Sequence, residues 1–205
     1  MKVVETIVIC SSIALIISLY KILNCNHNIK NYKPLTQDKK LFKKIIFILS
    51  QTTYQLNFII LFAYIAKYFK KNYLSNILLK IGFINLITSI IFYWIIFGRY
   101  KTFREIFTYD NMYLHFFVLI LCIYDVFQNS NLQFSFNDLK FTTSYFIILI
   151  LFNIINYSIR NKWSYGLLQF INPFKNYTGY LYFFSALFTS IIIHIVIGKI
   201  KKNIN

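Results

Sequence analysis

In the stretch "YDNMYLHFFVLILCIYDVF", residues 109–127, one imidazole, His115, stands at the mouth of a long apolar run. An ionisable ring at the edge of a hydrocarbon phase is costly to keep, and such residues mark pathways or active sites. A group that it could serve lies in "IIFILSQTTYQLNFIILFAYIA", residues 45–66, where Ser50 carries a hydroxyl inside another apolar run. A hydroxyl and an imidazole are what a nucleophile and its general base require: the ring takes the proton as the oxygen attacks a carbonyl. The two must then share a depth. Counted at 1.5 Å per residue from loops ending at Lys44 and near Asp110, Ser50 sits roughly 7 Å in and His115 about 3 Å in. Asp125 follows His115 by ten residues, about 15 Å along a helix axis, too far to orient the ring. Asp110 and Asn111 are near enough to hold it.

These residues need helices in a membrane to position them. The chain of 205 residues is 58% hydrophobic with only 5 Gly and 2 Pro, well above the apolar share of a soluble domain. The expected fold is an all-α integral membrane bundle of six transmembrane helices, a single domain over 1–205. Runs of about 20 apolar residues place the spans near 3–23, 45–66, 77–98, 113–127, 141–158 and 180–198. The fourth is short; it extends to Met112 or Gln128, or tilts less than its neighbours. The first has the charged start of a signal peptide, yet its apolar body is long and no small-x-small cleavage pattern follows, so it reads as a retained helix. The gaps near 24–44 and 159–179 are too short and polar to build a separate core.

The formal net charge is +16, from 22 Lys and Arg against 6 Asp and Glu. Almost all the cations lie between or at the ends of the apolar runs, as in "DKKLFKK" and "KYFKK". That placement suits anionic headgroups and snorkelling at helix ends, and no nucleic acid is expected as a partner. With six spans, eight cations fall on the side of the termini and twelve on the opposite side, which favours outward termini. Cys10, Cys25 and Cys122 form no disulfide framework. Cys25 and His27, two ligands in "NCNHN", fall short of a closed zinc site, and no metal is expected. With no Gly-rich phosphate loop, CxxC or GxSxG, no cofactor is expected either. Polar residues recur at helical spacing inside the spans: Ser50, Thr53 and Asn57; Asn85, Thr88 and Ser89; Asn153 and Asn156; Ser190 and His194. Side chains of this kind commonly bond between packed helices for about 0.6–2 kcal/mol each.

The order of landmarks resembles the androgen-induced and androgen-dependent TFPI-regulating proteins, six-span hydrolases of fatty acid esters of hydroxy fatty acids. "ILSQTTYQLNFII" is similar to the family's second-helix segment, with Ser50 where its nucleophilic Thr is expected and Asn57 where a Gln often stands. "IIFYWIIF" with Trp94, "NMYLHFFVLILCIYD" with Asn111, His115 and Asp125, and "NKWSYGLLQFINP" with Trp163 and Tyr165 resemble later segments. The resemblance implies Ser50 as nucleophile, His115 as base, Thr52 or Thr53 as alternative nucleophile, and Asn57, Asn111 and Trp163 in support. It also implies a lipid ester as substrate, membrane lipids as partners, and a place in the endomembrane system, such as the endoplasmic reticulum, or in the plasma membrane. The chain departs from the pattern at Ser50, at Met112 in place of a first His, at Ile120 in place of a Pro, and at Tyr157 and Ser158 in place of histidines. The alternative is a non-enzymatic multi-pass protein, a small transporter or a packing partner of other spans, with Asn85, Asn153, Asn156 and Asp125 lining a polar route. A transporter should show internal symmetry and spans broken by Gly or Pro, and the sequence shows neither.

Overall fold

Backbone amides in hydrocarbon have no water to bond, so apolar runs close their hydrogen bonds internally as helices. The computed structural model describes residues 2–23, 40–97, 112–161 and 177–204, and these residues contain helix and no strand. In chain order they form α1 (Lys2–Leu23), α2 (Leu41–Ser50), α3 (Thr52–Tyr68), α4 (Asn72–Phe97), a π-helical turn (Met112–Phe117), α5 (Val118–Gln128), a 3-10 turn (Phe136–Asp138), α6 (Leu139–Arg160) and α7 (Tyr177–Ile204). Among the described residues, three stretches are long and apolar enough to cross a membrane: Asn72–Phe92, Phe136–Arg160 and Phe183–Ile204. A fourth passes only as a bent pair, α2 with α3.

That pair corrects the straight span expected over 45–66. The helix breaks at Gln51, which takes an extended conformation with φ −88° and ψ 119°, and α2 and α3 meet at a bend of 77°. Neither Gly nor Pro causes it. The segment Ser50-Gln51-Thr52-Thr53 joins Ser to a pair of β-branched residues, and the Ser50 hydroxyl donates back to the Phe47 carbonyl at 2.7 Å, competing with helix continuation. With a 77° bend, the ten residues of α2 advance only about 3 Å along the axis of α3. A depth for Ser50 counted straight down from Lys44 therefore does not apply.

The main core forms where Leu56, Ile60, Ala63 and Tyr64, one face of α3, pack on Leu79, Phe83, Ile84 and Leu86 of α4. Val118, Cys122 and Val126 of α5, Ile7 of α1, Tyr145, Phe146 and Leu149 of α6 and Ala186 of α7 join it. The α3–α4 hairpin turns at Lys70, whose φ of 58° is left-handed, with the Lys71 amide donating to the Ala66 carbonyl at 2.8 Å. This is the helix-ending arrangement usually built on Gly. A smaller cluster of Leu15, Phe47, Ile48 and Tyr54 ties α2 to α1 and α3. Large apolar side chains such as Ile147, Leu151, Phe184 and Phe188 face outward, as they do where the surroundings are acyl chains rather than water.

One end of the bundle is held by charge. Lys67 of α3 contacts Asp125 of α5 at 3.0 Å, and the Tyr64 hydroxyl donates to the same carboxylate at 3.0 Å. Lys80 of α4 pairs with Asp138 at 2.7 Å, and that carboxylate also accepts from the Ser135 amide and hydroxyl, a capping box at the start of the 3-10 turn that leads into α6. The Lys201 ammonium of α7 donates to the carbonyls of Val126 and Asn129 at 2.6 Å each, closing the C-terminus of α5.

Candidate functional site

The bend between α2 and α3 leaves carbonyls that a continuous helix would have bonded, and in an apolar interior such groups must find other donors. Side chains from two helices supply them. Gln55 Nε2 donates to the Leu49 carbonyl, and the Tyr145 hydroxyl of α6 fixes the amide by donating to Gln55 Oε1 at 2.9 Å. Asn153 Nδ2, also of α6, donates to the Leu149 carbonyl at 2.8 Å and makes a long 3.5 Å contact to the Ser50 carbonyl. Ser50 is fully buried, and Asn153 Oδ1 is buried with no hydrogen-bond partner among the described residues. Thr52 and Thr53 are half-buried in the first turn of α3. Asn57 is buried one turn further on and donates to the Thr53 carbonyl at 2.8 Å.

The backbone of His115 lies in the π-helical turn Met112–Phe117. Such turns are rare and occur often at functional sites, because the extra residue re-aims the side chains around it. The His115 imidazole lies outside the described residues, as do Asp110, Asn111 and Trp163 and the side chain of Trp94. The level of His115 can still be fixed. The π-helical turn packs against α1 and α3, while Tyr64 and Lys67 near the end of α3 reach Asp125 near the end of α5. Helices α3 and α5 are therefore joined at their C-terminal ends through Asp125 and run in the same direction. His115 precedes Asp125 by ten residues and Tyr54 precedes Tyr64 by ten, about 15 Å in each case. The backbone of His115 and the first turn of α3, which begins two residues after Ser50, share a level to within about one helical turn.

The remaining polar residues gather elsewhere. Asn85 donates to the Thr142 carbonyl at 3.2 Å and accepts from the Ser190 hydroxyl at 3.1 Å. His194 Nε2 donates to the Ser135 carbonyl at 2.9 Å, its ring edge-on to Phe134 at 5.5 Å. Asn156 Oδ1 accepts from Arg160 Nη1 at 2.7 Å, and the Arg160 guanidinium lies over the Phe47 ring at 4.6 Å. Among the described residues, Asn85 thus bonds α6 and α7, Asn153 reaches the Ser50 carbonyl, and Asp125 bonds α3. Sequence reasoning missed Gln55, Tyr145, Lys67 and Lys201. The one signal available was Asp125, an acid inside an apolar run that requires a cation or donor nearby.

No family model matches the chain, and no curated protein or solved structure matches it.

Proposed function

We propose that the chain is a six-span integral membrane protein, of the endomembrane system or the plasma membrane, that hydrolyses lipid esters with Ser50 as nucleophile and His115 as general base. One observation carries the reading. Among the described residues, two interruptions fall within the expected apolar spans, the 77° bend and the π-helical turn, and they coincide with Ser50 and His115. The π-helical turn packs against α3, whose first turn follows Ser50.

In the reaction, Ser50 Oγ would attack the ester carbonyl as the imidazole accepts its proton, and the imidazolium would return that proton to the departing alkoxide to give the alcohol. Water, activated by the same ring, would release the acid from the acyl-serine. The start of α3 brings the positive end of a helix dipole beside Ser50, where an oxyanion would form. Thr52 and Thr53, in that same turn, are the alternative nucleophiles. Asn57 is suited to lining the path of an acyl chain, and Asn111 and Trp163 to supporting the ring and the substrate. The resemblance in sequence to hydrolases of fatty acid esters of hydroxy fatty acids gives the substrate class, and the bilayer would deliver so apolar an ester without transfer through water.

The second reading is a non-enzymatic multi-pass protein. The bond from Ser50 to Phe47 favours it, because the hydroxyl there serves to close α2. A fluorophosphonate probe on the detergent-purified protein separates the two. Labelling of wild type, absent in Ser50→Ala and His115→Ala, supports the hydrolase; loss in Thr52→Ala or Thr53→Ala instead moves the nucleophile. Equal labelling of wild type and all four variants removes the hydrolase.

A further inference from the structure

One buried oxygen has a demand that the protein around it does not meet. Asn153 of α6 is 1% exposed, and its Oδ1 is buried with no hydrogen-bond partner among the described residues. An amide oxygen carried into an apolar interior without a donor costs about 1–3 kcal/mol. The other end of the amide fixes its orientation. Asn153 Nδ2 donates to the Leu149 carbonyl at 2.8 Å and faces the Ser50 carbonyl at 3.5 Å, so exchanging the two ends would set oxygen against oxygen. The unmatched end is the acceptor, and it requires a donor.

The surroundings select water. Ser50 is fully buried and gives its hydroxyl proton to the Phe47 carbonyl at 2.7 Å, which leaves lone pairs on its Oγ. Its 3.5 Å contact with Asn153 is long for a direct bond, a separation at which water commonly bridges two polar groups. Two O–H donors on one small molecule match this set of acceptors. A lipid alcohol brings one donor and a chain, for which residues 0% and 1% exposed offer no opening. An ammonium group would meet no balancing carboxylate, since neither α2 nor α6 contains an acidic residue. Water also has a route. Asn156 and Arg160 follow Asn153 by three and seven residues, on one face of α6, and Arg160 ends the membrane-length stretch Phe136–Arg160. Polar groups thus continue from the end of the span to Asn153, over about 10 Å.

We propose that Asn153 Oδ1 binds a water molecule buried beside the α2–α3 bend, with its second hydrogen directed at Ser50. The site requires no turnover and so stands whether or not Ser50 is a nucleophile. In the hydrolase reading, on which this use alone rests, the same water is placed to release the acid from the acyl-serine.

The test is water-edited magic-angle-spinning NMR on the full chain in phosphatidylcholine bilayers containing diacylglycerol, with labelled Asn, Ser and Leu. Magnetisation from water should reach the Asn153 side-chain carbonyl about as fast as that of Asn161, which is exposed. It should arrive about fivefold faster than at the Leu149 side chain, one turn away. In Asn153→Leu, transfer to Ser50 should fall to the Leu149 rate; where that variant fails to fold, the wild-type comparison decides alone. Equal build-up at Asn153 and Leu149, or undiminished transfer to Ser50 in the variant, would each overturn the proposal. Transfer to Asn153 from lipid protons ahead of water would overturn it too, by assigning the donor to a lipid alcohol.

Discussion

Asp125 shows what a single buried carboxylate does in this chain. It accepts from the Tyr64 hydroxyl and twice from the Lys67 ammonium, so two groups and three hydrogen bonds depend on it. Removing one partner of a fully buried pair costs about 3–5 kcal/mol. Here the side chains are 29% and 12% exposed, so Asp125→Asn should lose about 2 kcal/mol, read as a lower midpoint in thermal or SDS-titrated unfolding. Lys201→Met should lose a similar amount, because it withdraws two charge-assisted bonds from the end of α5. An unchanged midpoint in either variant would show that water replaces the missing group. Asp125 was visible in the sequence as an acid in an apolar run, but its partner, Lys67, lies 58 residues away. Pairing at that range depends on which helices are neighbours, and no local pattern carries that. The same holds for Tyr145 and Gln55, 90 residues apart.

At the level of elements, apolar runs were legible as helices because length and composition leave the backbone one way to satisfy itself. The bend at Gln51 was not, because helix breaks are read from Gly and Pro and this one rests on Ser, Gln and two Thr. A nitroxide scan tests it directly. Labels placed along α2 at Leu41, Ile45 and Leu49 should report nearly one depth, whereas labels stepping along α3 should deepen by about 1.5 Å per residue. A steady descent through both would remove the bend. Two glycines set how closely elements approach. A Cβ on Gly198 would stand 2.6 Å from the backbone oxygen of Phe134, which cannot yield without moving the segment that carries Ser135 and Asp138. A Cβ on Gly82 would meet the Ile60 side chain at the same distance. Gly198→Ala should therefore cost about 2 kcal/mol of stability and Gly82→Ala less, measured by the same unfolding titration.

For the molecule as a whole, six crossings require both termini on one side and the loop over 162–176 on the other. The cation bias expects the termini outside, so acceptor sites appended to them should be glycosylated and Asn176 in "NYT" should not. Modification at Asn176 alone would reverse the orientation, and termini on opposite sides would refute six crossings. Composition made the helical class legible, while the pairing of Ser50 with His115 rested on order along the chain and on depth. A straight count through α2 fails at the bend, whereas α3 and α5 are joined near their C-terminal ends at Asp125. That lock has a mechanical consequence. Lys67, Lys80, Asp125, Asp138 and Lys201 tether α3, α4, α5, α6 and α7 at one pole, whereas Ser50 sits at the pole where α2 turns aside. Rods pinned together at one tip splay most at the other, so pulsed dipolar spectroscopy should give narrow distances between labels beside Lys67 and Asn129 and broader ones between labels beside Gln51 and Tyr157.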